Sequence, residues 1–174
     1  MRRRGLAPDD RRAPSGGTAS GFSLPGLRTA PDPVSPSAYA GKPVIINFFA
    51  SWSPPCAAET RLPAHFYRYH HGQVLIIGVD SRDDRAAALK LVGHSLVTYP
   101  VATDQTLQVA ARYGVPGIPS TYFLNSRHQV VRADYGWLSW KKLRRGVTEM
   151  DPGSSAATRV CCHSRRAQCR RSRY

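Results

Sequence analysis

Short apolar runs, separated by segments of helical spacing, recur along this chain. Residues 44–49 (VIINFF) and 74–79 (VLIIGV) are rich in β-branched and aromatic side chains, which favours buried strands. Residues 120–124 and 129–135 flank a short polar turn, and this pattern predicts a hairpin. A fifth extended piece is expected at 97–101. Strands that alternate with helices and close on a hairpin predict an α/β domain, with three α/β/α layers around a central mixed sheet.

Four helices are expected between and after these strands. The first is predicted over 54–70, with a kink at Pro63 because proline has no amide hydrogen to donate. Further helices are predicted at 86–92, 106–113 and 139–148. The apolar stripe of the first helix is predicted to consist of Ala58, Leu62, Phe66 and Tyr69.

Composition divides the chain into one domain and two basic ends. Residues 21–150 hold the apolar periodic segments, whereas 1–20 and 151–174 are polar, rich in arginine and predicted to be disordered. The net charge of +14 favours at most weak, non-specific contacts between these ends and polyanions. No motif predicts a specific nucleic-acid partner.

Targeting signals are not apparent in the sequence. Residues 5–20 lack the apolar core of a secretory signal, and no segment reaches transmembrane length. The expected location is therefore cytoplasmic, although a misassigned start codon that removed an upstream anchor would give the same pattern.

Of the four cysteines, Cys56 alone lies in the predicted domain. Cys161, Cys162 and Cys169 fall in the C-terminal segment, so the chain has no disulfide framework. Their spacing matches no usual zinc site, and no metal or other cofactor is expected. An open alternative is that a thiol of this segment pairs with Cys56.

Cys56 occupies the position best suited to chemistry, because it falls in the first turn of the helix that follows the first strand. The positive end of the helix dipole is expected to favour its thiolate; the alternative is a small buried apolar side chain. Ser53 is expected to cap the helix by accepting the amide hydrogen of Cys56, or to hydrogen-bond its sulfur. Glu59 lies on the same helical face, and its alternative role is that of a first-turn acid favoured by the dipole.

Residues 47–59 (NFFASWSPPCAAE) resemble the active-site segment of TlpA/ResA-type thioredoxin-like proteins, which are thiol–disulfide oxidoreductases, usually exported or membrane-anchored. Residues 113–121 (YGVPGIPST) resemble the loop that carries a cis-proline opposite that site. The resemblance implies a thioredoxin-like fold, a cis bond before Pro119 and a protein thiol or disulfide as partner. The family pattern W-C-x-x-C-x-x-E has a cysteine where this chain has Ser53, so the resemblance also implies that Cys56 is the one remaining site thiol.

The resemblance assigns chemistry to Cys56, with Ser53 and Glu59 as groups that tune it. A groove for an extended partner segment is expected to be lined by Trp52, Pro54, Pro55, Ile118 and Pro119. A serine hydroxyl cannot enter thiol–disulfide exchange, so the first hypothesis is an oxidoreductase with an impaired dithiol cycle. The second is a redox-inactive binding module that uses the groove. A lesser alternative is a one-cysteine thiol peroxidase, since peroxiredoxins use a T/S-x-x-C segment, but Phe49 stands where they have proline.

Overall fold

A five-stranded mixed sheet organises the part of the chain that the computed structural model describes, residues 19–28, 33–70 and 74–151. Its strands are β1 (Val44–Phe49), β2 (Leu75–Ser81), β3 (Val101–Asp104), β4 (Ser120–Leu124) and β5 (Val130–Tyr135). They lie in the order β3-β2-β1-β4-β5. The pairs β1–β2 and β2–β3 are parallel, and β4 is antiparallel to both β1 and β5. The central strand β1 is buried along its whole length.

Helices cover both faces of the sheet. They are α1 (Pro54–Glu59), α2 (Arg61–His70), α3 (Arg85–His94), α4 (Gln108–Arg112) and α5 (Trp140–Met150), and a 3₁₀ turn spans Pro36–Tyr39. Side chains of α1, α2, α3 and α5 pack with Ile45 and Phe49 on one face. Those of α4 pack with Ile46 and Phe48 on the other. This arrangement confirms the predicted three-layer α/β/α fold with a central mixed sheet.

The helix predicted over 54–70 is divided into α1 and α2 at Thr60. The break precedes Pro63 because this proline has no amide hydrogen to donate four residues back. Thr60 closes α1 by donating both its amide and its hydroxyl to the carbonyl oxygen of Cys56, at 3.0 and 2.6 Å. The helix is therefore interrupted at Thr60, three residues before the proline.

The predicted stripe of the first helix is wrong in two of its four positions. Ala58 and Tyr69 are exposed, whereas Phe66 is buried and Leu62 is half-buried. The buried face consists of Cys56, Glu59, Thr60, Pro63, Ala64, Phe66 and His70. Periodicity alone did not reveal that polar residues share this face.

The third strand also begins later than predicted. Pairing with β2 starts at Val101, not at residue 97, because Pro100 can accept a hydrogen bond from Gly78 but has no amide to donate. The hairpin of β4 and β5 and the helix α5 lie close to their predicted ranges. Ser139 caps α5 by accepting the amide hydrogen of Lys142.

Several predictions fall outside the described residues. These are the disorder of 1–20 and 151–174, apart from residues 19, 20 and 151, and every role for Cys161, Cys162 and Cys169. In the described ranges, no helix combines the length and apolar character needed to cross a bilayer. The cytoplasmic location stays a prediction.

Candidate functional site

The candidate site lies at the end of the sheet where β1 leads into α1. The turn 50–53 joins them, and Cys56 follows in the first turn of α1 with 0% of its surface exposed. Phe48 of β1 pairs with Ser120 of β4, so the residue before Ser120 lies beside the same end of β1. That residue is Pro119, and the bond that precedes it is cis, as predicted. Ile118 packs against the apolar cluster that contains Cys56.

Burial controls the protonation of Cys56. Loss of solvent raises the pKa of its thiol, and the nearby carboxylates of Glu59 and Asp83 raise it further. The Ser53 side chain and the Ala50 backbone act in the opposite direction but do not cancel the shift. The expected thiolate is therefore not favoured. The reason is that desolvation, the largest of these effects, outweighs the groups that stabilise a thiolate at this helix start.

Ser53 does not take the first of its two predicted roles, and its hydrogen bond to the Cys56 sulfur stays a prediction. It is the N-cap residue of α1 by backbone position, but its side chain accepts no capping hydrogen bond. Its side chain acts to lower the pKa of the Cys56 thiol. Because Pro54 and Pro55 occupy the first two helical positions and lack amide hydrogens, few early amides are left to be capped.

Glu59 is a buried acid, with 2% of its surface exposed. Its Oε2 accepts the amide hydrogen of Leu138 at 2.6 Å, and its Oε1 accepts from Nδ2 of Asn47 at 3.3 Å. The same Asn47 amide reaches Oγ1 of Thr121 at 3.1 Å and so ties α1 to β1 and β4. Glu59 is the last residue of α1, so the alternative of a first-turn acid is wrong. Burial raises the pKa of its carboxyl.

The predicted groove residues differ in exposure. Trp52 is 62% exposed, and its indole nitrogen donates to the carbonyl oxygen of Arg82 at 3.2 Å. Pro54 and Pro55 are exposed, Ile118 is half-buried and Pro119 is buried. The loop before α5 reaches the same region, because the amide of Gly136 donates to the carbonyl oxygen of Pro119 at 2.9 Å. That loop also carries Trp137, which is 59% exposed and which sequence reasoning did not single out.

A family model described as Redoxin matches residues 11–146 of this chain. The chain belongs to the Redoxin family. Among curated relatives, the thiol-disulfide oxidoreductase ResA of Bacillus subtilis is 27% identical over 117 residues, which cover 67% of this chain and 65% of that protein. The ResA of Geobacillus kaustophilus is 26% identical over 138 residues, covering 79% and 78%.

Solved structures agree with this assignment. A DsbF homologue from Corynebacterium diphtheriae is 26% identical, with a TM-score of 0.68, and the alignment covers 79% of this chain and 86% of that one. A putative thiol:disulfide interchange protein DsbE from Chlorobium tepidum is 25% identical, with a TM-score of 0.66 and coverage of 76% and 94%. The thioredoxin-like fold and the relation to thiol–disulfide oxidoreductases are therefore shown.

This redoxin also has a contact that sequence reasoning missed. The carboxylate of Asp83 accepts hydrogen bonds from the backbone amide of Ser51 and, at 2.7 Å, from its hydroxyl. The sequence around Asp83 was interpreted only as a helix start, and Asp84 does cap α3 by accepting the amide hydrogen of Ala87. Nothing in the local pattern distinguishes the aspartate that caps the helix from the one that turns back to the site.

Two other site types find little support in the described ranges. No cluster of three or more histidine, cysteine, aspartate or glutamate side chains there is arranged to hold a metal ion. A thiol peroxidase needs an activating arginine, and no arginine is among the groups that shift the pKa of Cys56.

Proposed function

We propose that this redoxin acts in thiol–disulfide exchange as a one-cysteine protein, with Cys56 as its reacting thiol. The observation that carries the proposal is the position of Cys56, in the first turn of α1 at the end of the sheet that bears the cis Ile118–Pro119 bond. Relatives named as thiol-disulfide oxidoreductases support the reaction class. Cys56 is also the free cysteine of the described residues.

The reaction would follow ordinary exchange chemistry. The thiolate of Cys56 attacks one sulfur of a partner's disulfide, which forms a mixed disulfide and releases the partner's other sulfur as a thiolate. Ser53 has no sulfur with which to resolve this intermediate. Two external thiols, from a protein or small molecules, are therefore needed. The first attacks the Cys56 sulfur of the mixed disulfide and releases the partner's second thiolate, and the second attacks the new mixed disulfide, which regenerates the Cys56 thiolate and leaves the two external sulfurs joined as a disulfide.

The surroundings of Cys56 set the rate. Its thiol is buried and its pKa is raised, so the reactive fraction is small at neutral pH and grows as the pH rises. Attack on a protein disulfide also needs the turn that precedes α1 to open. We expect the partner to bind as an extended segment beside Ile118, with Trp52 at the rim of the contact.

A model disulfide tests the proposal. In a background with Cys161→Ser, Cys162→Ser and Cys169→Ser, 5,5′-dithiobis(2-nitrobenzoic acid) should label the folded protein once, and mass spectrometry should locate the adduct on Cys56. Cys56→Ser is the control and should give no adduct. Labelling that occurs only after unfolding in urea would refute exchange at this thiol.

Restoring the missing sulfur tests the rest of the site. We expect Ser53→Cys to gain insulin-disulfide reduction with dithiothreitol, whereas Ser53→Ala should not gain it. If the Ser53→Cys variant forms an internal disulfide but stays inactive, the missing cysteine is not the cause of inactivity. The groove itself then fails to bind the substrate.

The complete burial of Cys56 favours one second candidate, a redox-inactive binding module that uses Trp52, Ile118 and Pro119. In that case Cys56→Ser would keep its affinity for an unfolded, reduced protein substrate, whereas Trp52→Ala would lose it. Exchange chemistry predicts instead that trapping of a disulfide-containing substrate disappears in Cys56→Ser.

A further inference from the structure

A second buried acid lies at this end of the sheet, and the exchange chemistry above does not use it. Asp80 is the next-to-last residue of β2 and is 0% exposed. It pairs with Phe49 of β1 and Thr103 of β3, so its side chain lies on the Phe49 face of the sheet. Phe49 packs in the same cluster as Cys56. Asp80 therefore lies on the sheet face that α1 covers.

The carboxyl of Asp80 has no ordinary hydrogen-bond donor. Neither of its oxygens receives a hydrogen bond from any group in the described part of the chain. A buried carboxylate without donors is strongly unfavourable, so the neutral acid is preferred. Burial and the neighbouring carboxyl of Asp83 raise the pKa of Asp80 to about 8.

Asp83 is already engaged with the turn before α1. Its carboxylate accepts the amide and the hydroxyl of Ser51, and its Oδ1 also accepts the amide of Asp84 at 2.8 Å. Asp83 has no hydrogen of its own to give while it accepts these bonds as a carboxylate. A hydrogen bond between Asp80 and Asp83 is thus possible only through a proton that one of the two carboxyls carries.

We propose that Asp80 is a positioning residue for Cys56: it holds a proton shared with Asp83, which limits the negative charge beside the thiol and keeps Asp83 on the Ser51 turn. This inference rests on the proposed function for its catalytic meaning, but the proton itself can be measured independently. Asp80 is not proposed to contact the partner protein or the Cys56 sulfur. It acts through Asp83, whose negative charge raises the pKa of the Cys56 thiol.

Other titratable groups on this face of the sheet do not supply a proton to Asp83 in place of Asp80. Glu59 is engaged with Leu138 and Asn47, and the buried phenol of Tyr99 stays neutral because burial raises its pKa. Charged groups near Asp80 in sequence or in the neighbouring strand point elsewhere: Arg82 and Arg85 are exposed, and Asp104 accepts the amide of Ala110 in α4 on the opposite face.

The sign of the effect on Cys56 follows from the charges. When the pH rises through about 8, Asp80 loses its proton and the pair gains a second negative charge. A thiolate at Cys56 then forms against both carboxylates of this pair instead of one, in addition to that of Glu59. Asp80→Asn removes the second charge, and its amide can still donate to Asp83. This variant should therefore ionise Cys56 at lower pH than the unmodified protein.

Carboxyl and thiol titrations by NMR test this directly and need no access to the buried sulfur. The protein carries ¹³C labels at aspartate carboxyls and cysteine Cβ, in the background without Cys161, Cys162 and Cys169. We expect one carboxyl resonance with a midpoint near 8, absent in Asp80→Asn, together with a shift of the Cys56 midpoint to lower pH in that variant. Asp84→Asn is the matched control, because it removes an exposed charge and keeps a good helix cap; both midpoints should stay unchanged.

Asp83→Asn provides a second readout if Asp80→Asn does not fold. It removes the neighbouring charge, so the midpoint of Asp80 should move to lower pH. An Asp80 that titrates in the ordinary aspartate range, or a Cys56 midpoint that is the same with and without Asp80, would overturn the inference. If the coupled titration is present but Cys56 forms no mixed disulfide, the proposed function fails and the shared proton stands.

Discussion

Asp80→Asn should stabilise this redoxin, increasingly so as the pH rises. The folded-state pKa of Asp80 is about 8, against 3.8 for a free side chain, so folding keeps a proton that the unfolded chain has released. Stability from this group is complete below the unfolded pKa and is lost as the pH rises toward the folded one. At about 1.4 kcal/mol per pH unit, the loss between pH 5 and pH 7 is about 3 kcal/mol. The variant has no proton to release at this position, so its free energy of unfolding does not fall for this reason as the pH rises.

Urea unfolding monitored by tryptophan fluorescence measures this difference. The free energy of unfolding of Asp80→Asn minus that of the unmodified protein should grow by about 3 kcal/mol from pH 5 to pH 7, and level off above about pH 8. Asp84→Asn, which removes an exposed carboxylate, should show no comparable slope. A flat difference for Asp80→Asn would mean that the buried carboxyl titrates normally, and the reasoning from its missing donors would be refuted.

Three further substitutions test the packing around the site. Gly146→Ala should destabilise the fold by about 1–3 kcal/mol, because its Cβ would overlap the buried ring of Phe123; a melting temperature equal to that of the parent would contradict this close approach. Glu59→Ala should cost about 1–3 kcal/mol in urea unfolding, since the buried amide of Leu138 loses its acceptor, and a neutral result would mean that this amide finds another. Ser139→Ala should cost about 1 kcal/mol by loss of the α5 cap, whereas Ser139→Asp should retain stability.

The strands were predictable where local composition decides them. The range of β1 is the predicted one, because six consecutive buried residues, five of them of strand-forming type, need no long-range information. The position of Cys56 after that strand was equally clear, and its helix was predicted correctly to begin at Pro54. The cis bond before Pro119 followed from the family resemblance, not from periodicity.

The polar interior could not be predicted in the same way. Asp80 was not distinguished as a buried acid, and the role of Asp83 was missed, because both depend on which strand lies beside which. The protonation of Cys56 was predicted with the wrong sign for a related reason. A helix start is visible in sequence, whereas the depth at which it is buried is a property of the whole sheet and its covering helices.

These buried groups together explain why the Cys56 thiol and the turn before it should change together when a partner binds. Cys56 is held as a thiol by burial and by the charges of Glu59 and Asp83, and Asp83 also fixes Ser51. A partner that opened the turn would hydrate the sulfur and separate it from Asp83 in the same movement. Both changes lower the pKa of Cys56, and because burial is the largest of the effects they outweigh the loss of the opposing effects of Ser53 and Ala50. Exposure and activation would thus occur together, and the thiol would become reactive chiefly when a partner occupies the groove beside Ile118.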